Sequence, residues 1–157
     1  MAAIRYTLND DQLMQLGKIH SCFGTIEQLL QMIILAAYKL NITNGRMLVG
    51  RMDFQQKVEV LKEMAPQLMS NSKAAKQLEP LYSRIKSLAV QRNRLTHAAW
   101  SKSTKTNDAI AVAFKHWGKF DNMVRASKLP AILKEAEAVQ NELFTVFMEL
   151  NKDGYSV

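Results

Sequence analysis

Leu16, Ile19, Phe23, Ile26, Leu30, Ile33, Ala37 and Leu40 recur at spacings of three and four. Nothing else in the chain restricts its fold so strongly, because an α-helix returns such positions to one side. The pattern predicts a first helix of about eight turns. Asn9 or Asp10 caps it, with Asp10 and Asp11 in the first turn, where the helix dipole favours acids. Met32, Leu35 and Tyr38 widen the apolar surface beyond one stripe. A helix apolar on more than one side is covered by more than one neighbour, and a second copy of the chain can be one of them.

The same period recurs three more times. Asn41 to Gly50 reads as a connection, with Asn44-Gly45 as its turn signal. Asp53 caps a second helix with the stripe Phe54, Val58, Leu61, Ala65 and Leu68, whose last turn Pro66 kinks or shortens. Ser70-Asn71-Ser72 is the next break. A third helix runs from about Lys73 to Ala98, and Pro80 either bends it or marks its true start. Its stripe is Leu78, Leu81, Ile85, Leu88, Arg92, Leu95 and Ala99, with an arginine where a core-facing leucine is expected. Trp100 to Trp117 changes character: Ile110, Val112 and Phe114 alternate with Ala111, Ala113 and Lys115, which is strand periodicity. A small β-hairpin is predicted there, with Trp100 to Thr104 as its first arm, followed by a loop from Asn122 to Lys128. Pro130 suits the first turn of a last helix carrying Ile132, Ala136, Val139, Leu143, Val146 and Leu150. The expected fold is all-α: one domain over residues 1–157, an antiparallel bundle of four main helices with a hairpin between the third and fourth.

Composition supports this reading. Glycine (6) and proline (3) are scarce, and 48% of residues are hydrophobic, which excludes a disordered chain. Cys22 is the single cysteine, so no internal disulfide can form, and a reduced, cytoplasmic setting is expected. Cys22 falls in an apolar pattern and reads as a small core residue. The most apolar run, Leu29 to Leu40, is interrupted by Gln31 and Lys39 and is too short to span a bilayer, so no membrane role is expected. A net charge of +7 suggests an acidic partner, of which nucleic acid is the commonest.

Chemistry concentrates at the end of the third helix, in Gln91-Arg92-Asn93-Arg94-Leu95-Thr96-His97-Ala98-Ala99-Trp100. Arg92 and His97 project about 140° apart on a helix, whereas Asn93 and His97 share a face. A long arginine can wrap toward that face. Histidine titrates near neutrality and can take or give a proton. Arginine offers a planar fork to two phosphate oxygens. Asparagine can orient the ring or bond the phosphate. These are the groups needed to cleave RNA, which carries its own nucleophile in the 2′-hydroxyl, and no metal or cofactor is required. Two copies of the motif at a two-fold axis would double each group. Lys86, Arg94, Lys102 and Lys105 flank the motif and can follow a phosphate backbone, although solvated surface charge is their plainer role. His20, beside the first stripe, reads as a core histidine, and His116, next to Trp117, as a surface one.

Arg92-Asn93-x-x-x-His97 resembles the signature of the HEPN superfamily, an arginine and, four to six residues on, a histidine, with a polar residue commonly after the arginine. Ala98-Ala99-Trp100 is similar to the tail found in many members. The resemblance implies a helical bundle that dimerises and, in many members, a metal-independent endoribonuclease, with Arg92, Asn93 and His97 as the catalytic set. Some members belong to toxin–antitoxin or phage-defence systems, which implies an antitoxin or regulatory protein as partner. Others are non-catalytic, so the competing expectation is a helical dimer that binds nucleic acid or protein.

Overall fold

The computed structural model describes residues 7–69, 72–97, 99–103, 108–115 and 119–152. It is mostly helical, with a small antiparallel sheet near its end. Helices α1 (Asp10–Ala37), α2 (Ile42–Val49), α3 (Phe54–Leu68), α4 (Lys73–Leu78) and α5 (Leu81–Thr96) come first. Strands β1 (Ala99–Lys102), β2 (Ala109–Lys115) and β3 (Lys119–Arg125) follow, then a 3-10 turn and helix α6 (Leu129–Lys152).

Most positions of the long stripes are buried. In α1, Ile19, Phe23, Ile26, Leu30, Ile33 and Ala37 are buried, while Leu16 and the following Leu40 are half-buried; of the residues expected to widen the stripe, Leu35 is buried, Met32 half-buried and Tyr38 exposed. Asn9 caps this helix through a reciprocal pair with Gln12. Helix α1 packs along α6 and against α3. Its composition and length would let it cross a membrane, with a mean hydropathy of 1.3 over its most apolar window, yet half of that window is covered by the fold itself. Helix α6 buries all six predicted positions, from Ile132 to Leu150. The pairing of α5 with its neighbours sets the layout of the site. Lys86 reaches Glu59 and the Tyr82 hydroxyl donates to the Leu61 carbonyl, so α5 runs antiparallel to α3. Arg84 bonds Glu135 and Glu142, fixing α5 to α6 by a guanidinium shared between two carboxylates.

Several expectations need correction. Asn41 to Gly50 is not a plain connection but holds α2, capped by Asn41. Asn44-Gly45 lies inside that helix because Gly45 is where Leu35 packs onto it. A Cβ on Gly45 would overlap Leu35 Cδ2, so the glycine serves a close helix approach rather than a turn. The long third helix is two, with Pro80 at the cap position of α5, its second alternative. The predicted hairpin is a three-stranded sheet in the order β1-β2-β3. Residues 122–125, read as loop, belong to β3, which pairs with β2 through a one-residue register shift between Ala111 and Ala113. Its polar sequence suits an edge strand. The strand face turned to the core is also the small one: Ala109 and Ala111 join the main core. Pro66 stays within α3. Ser70, Asn71, Ala98, Thr104, His116 and Trp117 lie outside the described residues.

Tyr82 gives the fold a measurable pH limit. Burial, helped by Glu79, pushes its phenol up to about 12 from an ordinary 10. A folded-state value above the unfolded one means stability is complete below pH 10 and declines as the pH rises toward 12. In chemical denaturation at rising pH, wild type should lose stability across that window. Tyr82→Phe should lose distinctly less.

Candidate functional site

The positions that matter sit at the sheet-facing end of α5. Arg92 lies on the same line as Leu81, Ile85 and Leu88, which are all buried. It is nevertheless only half-buried. Leu95, further along the same line, is buried again. Helix α3, running antiparallel to α5, begins at Phe54, so Arg92 comes level with its first turn. There the seam between the two helices opens into a groove of about 200 Å³. Ala89, Val90, Arg92 and Asn93 form one wall, and Asp53, Phe54 and Gln55 form the other.

Arg92 and Asn93 are brought together: the guanidinium donates to Asn93 Oδ1 at 3.4 Å. Arg92 forms no ion pair with a described carboxylate. Asp53 shares the groove, but its Oδ1 accepts the Gln56 N–H at 2.8 Å as the cap of α3. His97 is the residue that ends α5, with φ −105° and ψ 8°. Its backbone N–H bonds the Asn93 carbonyl at 3.2 Å, and its side chain is exposed. It does not line the Arg92–Asn93 groove. The three side chains therefore occupy one helix end, two in a groove and the third on the adjoining open surface.

The flanking cations disperse. Lys86 is exposed and lies 3.5 Å from Glu59. Arg94 borders a different groove, formed with β3 and α6. Lys102 is exposed at the end of β1, and Lys105 lies outside the described residues. His20, expected in the core, is exposed on α1. Cys22 is half-buried, and that burial, with Glu137 nearby, raises its thiol pKa. Among the described residues, no three His, Cys, Asp or Glu side chains are grouped to hold a metal ion. The α3 wall of the groove went unread because Asp53 and Phe54 each had a sufficient local role, as cap and core. Only the antiparallel pairing with α5 carries them to Arg92.

No protein-family model, curated protein or solved structure matches this chain.

Proposed function

We propose that the chain is a homodimeric, metal-independent endoribonuclease of the HEPN type, built on a bundle whose principal helices are α1, α3, α5 and α6. The observation that carries this reading is the end of α5. It holds a guanidinium without a described carboxylate partner, an amide bonded to it, and an exposed imidazole one turn on. Arg92 binds the scissile phosphate and spreads its developing charge through two N–H donors. His97 transfers the proton at the 2′-hydroxyl or at the leaving 5′-oxygen, and Asn93 orients the arginine or the phosphate. Exposed Val90, 46% accessible beside Arg92, suits a surface covered by a second copy. That copy brings a second imidazole, which one-residue acid–base chemistry otherwise lacks. A cytoplasmic toxin or phage-defence role, restrained by a protein partner, fits this activity.

A second reading, a non-catalytic dimer that binds nucleic acid, is favoured by one observation: His97 stands outside the groove that holds Arg92 and Asn93. Incubation of purified protein with RNA in excess chelator separates the two. The nuclease reading expects cleavage by wild type that disappears in Arg92→Ala and in His97→Ala. Equal cleavage by all three, or none by wild type, rejects it.

A further inference from the structure

A second groove, of about 490 Å³, lies where α5 meets the end of β3 and the start of α6. Its size falls in the range of small-ligand sites. Val124 and Ile132 supply apolar surface. Arg94, Arg125 and Lys128 supply three cations from three separate segments. Glu135 also borders the groove, but its Oε1 is already bonded by Arg84 Nε at 2.7 Å, and Arg84 in turn holds Glu142. None of the three cations pairs with a described carboxylate, so the groove carries an excess of positive charge. Gln91 also borders it.

We propose that this groove binds one unpaired nucleotide of single-stranded RNA. The base lies over Val124 and Ile132, and the backbone phosphate is held by Arg94, Arg125 and Lys128. A surface for the base and cations for the phosphate backbone are parts such recognition uses. Gln91 and Arg94 flank Arg92 and Asn93 in sequence but border the opposite groove, so a strand crossing this end of α5 would meet both. The inference rests on the nuclease reading only for the choice of RNA as ligand.

The test measures binding rather than cleavage. Full-length protein carrying His97→Ala is titrated against a fluorescent single-stranded RNA octamer at several salt concentrations. Arg125→Ala with Lys128→Ala, both exposed positions, should weaken binding at least about tenfold and reduce the salt slope by roughly two. Unchanged affinity and slope in the double variant overturn the proposal, as does tighter binding of an acidic peptide than of RNA at this groove. The two readings fail separately. Binding through the groove without any wild-type cleavage rejects the nuclease alone. Cleavage with groove-independent binding rejects the groove alone.

Discussion

His97→Ala is expected to lower the rate of RNA cleavage by about two to four orders of magnitude, the usual contribution of a positioned acid or base. The fold should be unaffected. The His97 side chain is exposed, and its one backbone bond, to the Asn93 carbonyl, survives the substitution. Thermal melts of wild type and variant should superimpose while initial rates in chelator differ. Arg92→Ala should cost about 10²–10³-fold, as expected for a lost donor to a charged transition state. Arg92→Lys distinguishes charge from geometry. Lysine keeps the cation but loses the planar fork, so most of the activity should still be absent. Near-complete activity in Arg92→Lys would mean that the groove needs only positive charge.

The second large effect concerns stability. Lys57 is buried, with 4% of its side chain accessible, and its ammonium lies 2.8 Å from Glu27 Oε1. The pair ties α3 to α1 within the core. Removing one partner strands a buried charge, which usually costs about 3–5 kcal/mol. Glu27 keeps 34% of its surface, so water offsets part of that cost. Glu27→Gln should therefore lose roughly 2–3 kcal/mol in urea denaturation. Lys57→Met, which substitutes packing for the ion, should fall within about 1 kcal/mol of wild type. Adding Lys57→Met to Glu27→Gln should recover most of the loss. Losses that simply add would contradict the view that the pair acts as one unit.

Lys57 also illustrates what the sequence conceals. It stands three residues after Phe54 and four before Leu61, squarely within a stripe, yet a lysine at helical spacing reads as solvated. Its burial depends on a glutamate thirty positions away. The main helices were legible because each buries a face whose period the apolar residues repeat, and α6 does so without exception. Helix α2 was hidden by a strong turn dipeptide, since the reason for Gly45 is a side chain on α1. Strand β3 was hidden because an edge strand need not alternate. At the site, Arg92 and Asn93 were legible as neighbours in the chain. The groove wall from α3 was not, and neither was the meeting of Arg94 with Arg125 and Lys128, because both depend on how distant elements pack. Arg92 itself was read as an anomaly on a core stripe. It borders a groove level with the first turn of α3, while Leu95 further along the same line is buried.

The chemistry proposed for this helix end is most directly tested by the ends of the cleaved RNA. Attack by the 2′-hydroxyl, driven by His97 and stabilised by Arg92, leaves a 2′,3′-cyclic phosphate and a 5′-hydroxyl. End-group analysis of products formed by wild type in excess chelator should find both, and a substrate with a single 2′-deoxyribose at the cleaved position should remain intact there. Products bearing 5′-phosphate and 3′-hydroxyl, or cleavage of the deoxy-substituted bond, would contradict the account.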